Sequence, residues 1–409
     1  MRAFELPMDA IRSLVAALRA GPVDDEAAAE IFARLAWTVI VEPGDQIAGQ
    51  LLAALGARRA LESVIAADPA PAIDVWLGEG VGASRAERIV GEAFDRWRPR
   101  VAARPVVRAM EQAAGLGLAV AMPGDPDWPP GFAALGPAAP VAMWLRGDRT
   151  NLTELDGSLA VVGARASTGY GNHVATEIAG GSAERGLAVV SGGAYGIDAA
   201  AHRAALAAGG ITIAFLAGGL DRYYPAGNAE LLGRVAARGL VIAEVPPGVP
   251  PTRFRFLSRN RLLAAASAAT VVVEAGLRSG SINTANHALA LGRPIGAVPG
   301  PVTSPASAGC HRLLREEQAM CITSADDAVE LAGGERAEPP ASYQPGDPDV
   351  VRVLDALGVR RGRSADDVAR SSGMAVAAAL GVLATLEVAE AVRRTDSGWV
   401  RVPGSPASR

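Results

Sequence analysis

The sequence predicts an α/β protein whose central part is a Rossmann-like, doubly wound parallel sheet. From Leu159 to Ala332, seven short apolar segments alternate with longer stretches of helical periodicity. Because each short segment is apolar throughout, it fits a strand buried on both faces, as in parallel sheets. Alternation of such strands with helices is typical of doubly wound folds. The seven segments are LAVVG, LAVVSGG, ITIAFLAGG, LVIAEV, TVVVEAG, PIGAVPG and MCITS.

A helical module is predicted before the sheet, over residues 1–115. Apolar residues recur at helical spacing in MDAIRSLVAALRA and AAAEIFARLAWTVIV. Short helices joined by glycine turns are typical of SAM-like and helix-hairpin-helix modules, although a bundle that only packs on its neighbour fits as well. Residues 116–333 are assigned to the α/β domain, with its core at 159–332. The first part of this domain is rich in turn residues, and Trp128 and Trp144 are expected to anchor it to a core.

A winged helix is predicted at the carboxyl end, over residues 348–402. It follows a linker at 334–347 that is rich in proline, glycine and polar residues. Three helices followed by a hairpin make this pattern. The helices are expected at Pro348–Leu357, Ser364–Arg370 and Met374–Glu387, and the hairpin turn at Asp396-Ser397-Gly398.

The third of these helices would be the recognition helix of the winged-helix domain. From Met374 to Leu386 it carries no arginine, lysine, asparagine or glutamine, the side chains that normally contact base edges. We therefore expect that the domain does not bind duplex DNA specifically and instead contacts protein or stabilises a dimer. Arg393 and Arg394, in the predicted hairpin, would add only weak affinity for a DNA backbone.

The charge composition limits the kinds of anion site that the chain can build. All 39 basic residues are arginine, and the 43 acidic residues give a formal net charge of −4. A basic coat over the whole surface is therefore excluded, and any anion site must be a local concentration of arginine. The lack of lysine also excludes a P-loop lysine, a Schiff-base lysine and a lysine general base.

The cysteine count and the apolar segments indicate a cytoplasmic protein. Two cysteines, Cys310 and Cys321, make neither a disulfide framework nor a CxxC metal motif, which fits a reducing compartment. The amino terminus lacks the apolar segment of a signal peptide, and no stretch has the length and flanks of a membrane span. No membrane contact is expected.

The loop after the first strand has the residues of a phosphate site. Gly163 lets the backbone approach a ligand, Ser167 and Thr168 add hydroxyls before Gly169, and the helix that follows this loop offers free N–H groups. Arg165 supplies a guanidinium fork for a phosphate. The motif is neither GxGxxG nor Walker A, and no acid follows the second strand to hold a ribose, so a dinucleotide cofactor is disfavoured. The alternative is a tight turn with a solvated arginine.

Two further strand ends bring hydrogen-bond donors to the same edge of the sheet. The second strand runs into Ser191-Gly192-Gly193-Ala194-Tyr195-Gly196, whose glycines expose backbone N–H groups. The fifth strand is followed by Ser279-Gly280-Ser281, a second set of donors at a helix start. The carboxyl ends of parallel strands meet at one edge, where ligands bind in such folds.

Four other residues near these loops have more than one interpretation. Asp198 is expected as a helix N-cap rather than as a catalytic acid, and His202 as a packed residue rather than as a ligand. Tyr223 or Tyr224, after the third strand, could stack on a base, although packing in a core or a dimer is equally plausible.

The densest local charge lies between Pro251 and Arg261. Four arginines alternate with two phenylalanines without an intervening acid, and a helix is expected to begin at Arg259. Basic residues interleaved with aromatics at a helix start suit contacts with a nucleic-acid backbone, whereas a solvated charge run is the usual alternative. The candidate residues are Arg253, Arg255, Arg259, Asn260 and Arg261.

Neither a catalytic site nor a metal site is expected. The sequence has no acid and histidine cluster at metal-ligand spacing, no GxSxG elbow and no HExxH motif. The strand ends hold donors for anions but no evident catalyst. The prediction is therefore a binding protein without a cofactor, not an enzyme.

Taken in order, these motifs resemble the DNA-processing protein A (DprA/Smf) family. The resemblance covers about 160 to 330 and is carried by GAR-ST-YG, SGGAYGIDAAAH, ITIAFLAGGLDRYYPAGN, SRNRLLAAAS, VVEAGLRSGSINTA and AVPGPVTSPASAGCHRLL. It implies a homodimer that binds and protects incoming single-stranded DNA and helps load a RecA-type recombinase in natural transformation. It also implies that Arg165, the Arg259-Asn260-Arg261 motif and the Ser279-Gly280-Ser281 turn contact DNA phosphates.

Two positions depart from the family pattern. Tyr195 stands where the family usually has a basic residue, so it would stack on a base in place of one phosphate contact. Phe256-Leu257-Ser258 stands where the family usually has Phe-Pro before the Arg-Asn-Arg motif, so this loop would follow another path.

Two alternative functions are compatible with the fold class. Related Rossmann-like enzymes hydrolyse nucleotide phosphoribosides, but SGSINTANHA lacks the acid that follows the glycine-rich loop of those enzymes. The second alternative is a transcription regulator that combines a winged helix with a ligand-sensing sheet domain. The apolar recognition helix argues against it.

Overall fold

The structure is a computed structural model that describes residues 3–19, 21–335, 347–359, 361–395 and 397–402. The chain divides into two compact units, Met1–Arg336 and Ala337–Arg409. Most of the predicted linker at 334–347 lies outside the described residues, and so does Asp396 of the predicted hairpin turn.

Among the described residues of the first unit, seven α-helices precede the sheet. Side-chain caps fix two of their starts, since Asp24 accepts a hydrogen bond from the N–H of Ala27 and Asp45 accepts one from the N–H of Ala48. Their apolar faces share one core with part of the sheet. The helices are α1 (Met8–Ala16), α2 (Asp25–Ile40), α3 (Gln46–Leu55), α4 (Ala57–Ile65), α5 (Ala70–Gly78), α6 (Ala83–Trp97) and α7 (Ala103–Gly115).

Nine described strands form one mixed sheet in the order β1-β2-β6-β5-β4-β3-β7-β8-β9. The seven strands predicted from apolar segments, β3 to β9, pair in parallel, which confirms the predicted fold class. The strands are β1 (Ala119–Ala121), β2 (Met143–Gly147), β3 (Leu159–Val162), β4 (Val189–Ser191), β5 (Thr212–Leu216), β6 (Leu240–Ala243), β7 (Ala269–Val272), β8 (Ile295–Ala297) and β9 (Met320–Cys321).

Two antiparallel strands at one edge of the sheet were not expected. β1 pairs with β2, and β2 pairs with β6. Both lie in the stretch whose proline and glycine content predicted turns. Trp144 of β2 is fully buried and Trp128 packs partly buried against the core, so both tryptophans anchor the segment as expected.

Helices cover both faces of the sheet because alternate residues of each strand point to opposite sides. Val161 belongs to the core under α8 and α9, whereas Val162 belongs to the core under α11 and α12. The connecting helices are α8 (Gly169–Glu184), α9 (Ile197–Ala207), α10 (Ala229–Arg238), α11 (Arg253–Ala266), α12 (Gly280–Ala290), α13 (Ala308–Glu316) and α14 (Ala325–Leu331).

The strand order reverses at β3. From β3 the chain adds β4, β5 and β6 on one side, then returns to place β7, β8 and β9 on the other. Crossovers that depart in opposite directions leave a crevice at the carboxyl ends of the two central strands. The loops after β3 and β7 therefore face a crevice that the topology itself creates.

The second unit has the elements of the predicted winged helix. The helices α15 (Pro348–Asp355), α16 (Ala365–Ser372) and α17 (Val376–Val388) are followed by an antiparallel pair, β10 (Val392–Thr395) and β11 (Gly398–Arg401). Gly373 takes a left-handed conformation at φ 70° and ends α16, which is the glycine turn that the sequence predicted.

In the part of the chain that the structure describes, no single helix is long and apolar enough to cross a membrane. Only α16 and α17 taken together pass that test, and they are bent by 106° at the break between them.

Candidate nucleic-acid interface

A groove of about 810 Å³ opens at the switch point of the sheet, which we call the switch-point groove. The loops after β3 and β7 and the first turns of α11 and α12 line it. Since α11 and α12 both begin here, their free N–H groups and helix dipoles favour an anion. The polar and aromatic lining residues are Arg165, Asp198, Tyr224, Thr252, Arg253, Phe256, Arg259, Asn260, Arg278, Ser279, Ser281 and Thr284.

Three exposed arginines stand around the groove without a carboxylate partner in the described residues. Arg253 and Arg278 make no hydrogen bond or ion pair there, and the guanidinium of Arg165 lies over the ring of Phe256 with Cζ 4.6 Å from the ring centroid. A guanidinium stacked on an aromatic face keeps its N–H groups free in its own plane. All three can therefore bind a phosphate without breaking an ion pair.

The Ser279-Gly280-Ser281 turn lies in the groove at the start of α12. Ser279 is the N-cap and accepts a hydrogen bond from the N–H of Ser281 at 3.3 Å, while the two hydroxyl oxygens lie 2.6 Å apart. Gly280 is exposed, and a side chain there would meet open space. The turn thus presents an unobstructed backbone to the groove.

Arg259 lies in the floor of the groove and is held from within. It is 6% exposed, and Nη1 donates to the carbonyl oxygens of Gly192, at 2.8 Å, and Phe215. Burial lowers the pKa of its guanidinium to about 10, although the negative charge of Asp198 acts to raise it. A Cβ on Gly192 would come 2.4 Å from Nη2 of Arg259, so glycine at 192 makes room for this side chain. Arg259 therefore fixes the floor and supplies a buried positive charge.

Asp198 braces the loop after β4 and is not the N-cap that the sequence predicted. Helix α9 has Gly196 as its N-cap, and Asp198 lies in its first turn, where its carboxylate accepts hydrogen bonds from the N–H groups of Gly192 (3.1 Å) and Ala194 (3.3 Å). Burial raises the pKa of Asp198, and the charge of Arg259 opposes that rise. These contacts agree with the expectation that Asp198 has a structural role rather than a catalytic one.

The run of four arginines divides between different partners because it lies on α11. The helix begins at Arg253, with Thr252 as its N-cap, and not at Arg259 as predicted. At about 100° per residue, successive arginines point to different sides. Arg261 is nearly buried and forms an ion pair with Glu244, at 2.6 and 2.8 Å. Neither it nor Arg255 lines the groove.

Arg255 and Asn260 connect α11 to neighbouring elements. Arg255 forms an ion pair with Glu42 at the end of α2, at 2.9 and 3.0 Å. Asn260 lines the groove, but its amide donates to the carbonyl oxygen of Gly280 and to Oδ1 of Asn283, both at 3.2 Å. Asn260 therefore positions the start of α12 beside that of α11.

Gly163, directly after β3, also lines the groove. The other candidates after β3, which are Ser167, Thr168 and Gly169, lie beside it, and the two hydroxyls have protein partners. A Cβ on Gly163 would come 2.5 Å from Ile197. Ser167 donates to Oδ1 of Asn172 at 2.7 Å, and Thr168 donates its hydroxyl to the buried carboxylate of Glu274 at 2.6 Å. Gly169 is the first residue of α8, which Thr168 caps. These contacts shape the loop that carries Arg165.

The residues of the Ser191–Gly196 segment lie outside the groove lining, apart from Ala194. Ser191 donates to the carbonyl oxygen of Val161, and Gly193 and Gly196 have φ of 66° and 75°, a region that favours glycine. Tyr195 is half exposed, and its hydroxyl accepts a hydrogen bond from the N–H of Gly227 at 3.3 Å. The Ser191–Gly196 segment thus positions the floor.

Two groove residues had no firm assignment from the sequence. Arg278 was not identified from the sequence as a candidate. It directly precedes the Ser279-Gly280-Ser281 turn, a position at which an exposed side chain is expected. Tyr224 lines the groove about half exposed, with its ring 5.7 Å from that of Phe256, whereas Tyr223 packs under the guanidinium of Arg146. Among the described residues, no group of three or more His, Cys, Asp or Glu side chains could hold a metal ion.

Comparison with known proteins assigns this architecture. A family model described as DNA recombination-mediator protein A matches residues 119–333. The chain belongs to the DNA recombination-mediator protein A (DprA/Smf) family. A second model, the DprA winged helix domain, matches residues 337–398. Membership confirms the resemblance that the sequence motifs indicated.

Several members of the DprA/Smf family are similar over most of their length. The putative DNA processing protein DprA of Mycobacterium tuberculosis is 50% identical over 293 residues, which are 68% of this chain and 75% of that protein. The crystal structure of DprA from Streptococcus pneumoniae aligns with a TM-score of 0.58 and 29% identity, covering 74% of this chain and 97% of that one. DprA from Helicobacter pylori, whose single-stranded DNA binding mode was determined, aligns with a TM-score of 0.47 and 29% identity, covering 52% of this chain and 94% of that one.

Proposed function

We propose that the chain binds single-stranded DNA in the switch-point groove and acts as a binding protein, not as an enzyme. The observation that carries the proposal is the set of three exposed arginines, Arg165, Arg253 and Arg278, which surround the groove without carboxylate partners in the described residues. Phosphates dominate the affinity of such sites, and arginine holds them through two parallel hydrogen bonds. The DNA processing named for its relatives fits this site.

The lining suits a strand with accessible bases. Tyr224 and Phe256 offer aromatic faces beside the arginines, and stacking on such faces contributes about 1–3 kcal/mol per base. Asp198 is the one carboxylate that lines the groove in the described part of the chain, and its Oδ2 accepts the backbone N–H groups of Gly192 and Ala194. A carboxylate that holds the loop after β4 in this way fits a binding role for the groove.

The direct phosphate contacts are assigned to Arg165, Arg253, Arg278 and the Ser279-Gly280-Ser281 backbone. Arg259 supports them as a buried charge beneath the groove. Arg255 and Arg261 would have to leave Glu42 and Glu244 to reach DNA, so they serve as structural ion pairs in this proposal.

The biological role follows from the family, whose description is that of a recombination mediator. In this role a homodimer covers incoming single-stranded DNA in the cytoplasm and helps load a RecA-type recombinase during natural transformation. Among these steps, DNA binding is the one that the geometry of the switch-point groove supports.

Equilibrium binding of a labelled oligothymidylate over a salt series tests the proposal. We expect a linear fall of log affinity with log salt, because phosphate contacts release counterions. Arg278→Ala and Arg165→Ala should each weaken binding at low salt and lower the slope by about 0.7, the value for one phosphate contact on a single strand. Arg85→Ala is the matched control, since Arg85 is an exposed arginine of α6 that does not line the switch-point groove.

Full affinity in both groove variants would remove the switch-point groove as the site. Incubation with nucleoside monophosphates, followed by chromatography for free base, tests the enzymatic alternative. Release of base that is lost in the Arg278→Ala protein would replace the binding role with a hydrolytic one.

A further inference from the structure

A second groove, of about 880 Å³, lies at the same edge of the sheet and has no role in the site described above. Its walls are α7 of the helical segment and the loops that follow β5 and β6. We call it the α7 groove. Three arginines line it, Arg104 and Arg108 from α7 and Arg222 from the loop after β5.

The arginines of the α7 groove are free to bind. Arg104, Arg108 and Arg222 are exposed, and none makes a hydrogen bond or an ion pair within the described residues. Arg104 and Arg108 are four residues apart on α7, so they lie on one face of that helix. Asp221, the one acid among the described residues that line this groove, accepts a hydrogen bond from the N–H of Gly248 at 2.7 Å. Three free positive charges thus face one braced carboxylate.

The two grooves meet. Tyr224 and Pro251 line both of them. The sheet order explains this continuity, because the strands β6, β5, β4, β3 and β7 are neighbours and their carboxyl ends follow one edge. The α7 groove lies over β6 and β5, and the switch-point groove over β3 and β7. At about 4.8 Å per strand, four strand spacings make about 19 Å, the length of about six stacked nucleotides at about 3.4 Å each.

We propose that the α7 groove is a second binding site for the same DNA strand, which passes from the switch-point groove over Tyr224 and Pro251 to Arg222, Arg104 and Arg108. Tyr224 is about half exposed at the junction and stacks on a base there. The inference rests on the proposed function, because it extends the strand that the first groove holds. It gives the helical segment a direct part in DNA binding through α7.

The test compares a short and a long oligothymidylate, of about 4 and about 20 nucleotides, the first shorter than the path of about six nucleotides across both grooves and the second well above it. The triple variant Arg104→Ala, Arg108→Ala, Arg222→Ala should bind the short strand within about two-fold of the native chain. It should bind the long strand about ten-fold more weakly, with a salt slope reduced by about 2 for three lost phosphate contacts. The control variant Arg59→Ala, Arg85→Ala, Arg238→Ala removes the same charge from exposed positions that line neither groove.

Photo-crosslinking gives a second measurement. It uses the native chain, so a folding defect in a variant cannot affect the result. A long strand carrying 4-thiothymidine at successive positions should crosslink to peptides that contain Tyr224 and residues of α7. Crosslinks confined to the switch-point groove would overturn the proposal, and so would equal loss of short and long binding in the triple variant. If the native chain bound neither strand, the proposed function itself would fail, and that outcome is distinct from both.

Discussion

His202 of α9 is a buried histidine whose hydrogen bonds fix its tautomer. The hydroxyl of Thr212 donates to the carbonyl oxygen of Val189 at 2.7 Å, so it must accept from Nδ1–H of His202, also at 2.7 Å. Nε2 is then the unprotonated nitrogen, and it is buried without a partner in the described residues. Burial, together with the charges of Arg259 and Arg203, lowers the pKa of His202 to about 3. The ring is therefore a packed residue, as the sequence suggested.

This residue makes the stability of the chain depend on pH. Below a pH of about 6.5 the unfolded chain binds a proton at His202 that the folded chain rejects until about pH 3, so the free energy of unfolding falls as the pH drops. His202→Asn keeps an N–H donor toward Thr212 but cannot titrate. Urea unfolding at about pH 7.5 and about pH 5 should show a smaller loss in the variant, by about 2 kcal/mol. Equal losses in the two proteins would contradict the assignment.

At the scale of elements, strands were predicted better than the helix that carries the arginines. Each of β3 to β9 is a short apolar segment bounded by turn residues, which is a local signal. β1 and β2 lie among prolines and glycines, and their pairing with β6 is a long-range contact that no local pattern records. The predicted start of α11, at Arg259, was too late in the sequence. Thr252 caps the helix at Arg253, within the run of arginines and phenylalanines that was expected to be a loop.

The wrong predicted start of α11 also explains which site residues could be identified from the sequence. Arg165, Arg253 and the Ser279-Gly280-Ser281 turn line the groove, and their motifs had been selected for a phosphate. With α11 beginning at Arg253, residues 253, 256, 257 and 260 share one face, whereas Arg255 and Arg261 point elsewhere. Their partners, Glu42 and Glu244, are distant in sequence, so the ion pairs could not be foreseen.

Helix α17 of the winged helix gives a prediction at the same scale. Its outer face consists mostly of small and apolar residues, with Val376 and Leu380 exposed, and the helix carries no arginine, lysine, asparagine or glutamine for contacts with base edges. Arg393 and Arg394 in β10 are exposed and would add weak affinity for a DNA backbone without sequence preference. Selection from random-sequence duplexes with the full chain should therefore enrich no motif. An enriched motif that disappears in Leu380→Glu would show that α17 reads bases after all.

At the scale of the whole molecule, the helical segment and the sheet share one hydrophobic core. Phe32 and Trp37 of α2 belong to the same cluster as Leu216 of β5 and Val241 of β6. The ion pair of Arg255 with Glu42 adds a connection at the end of α2, and Arg100 pairs with the same carboxylate at 2.8 Å. The assignment of residues 1–115 to a separate module stays a prediction, and these contacts favour folding as part of the first unit.

Calorimetry of the full chain can decide whether that unit unfolds cooperatively. Phe32 of α2 and Phe215 of β5 are both fully buried, and replacing either by alanine costs about 3–5 kcal/mol. If the helical segment and the sheet unfold together, Phe32→Ala and Phe215→Ala should lower the temperature of the same transition. Val353→Ala, in the separate core of the winged helix, should lower a different one. A transition that Phe32→Ala shifts and Phe215→Ala does not would instead make residues 1–115 an independent domain, and the α7 groove would then lie between two bodies able to separate.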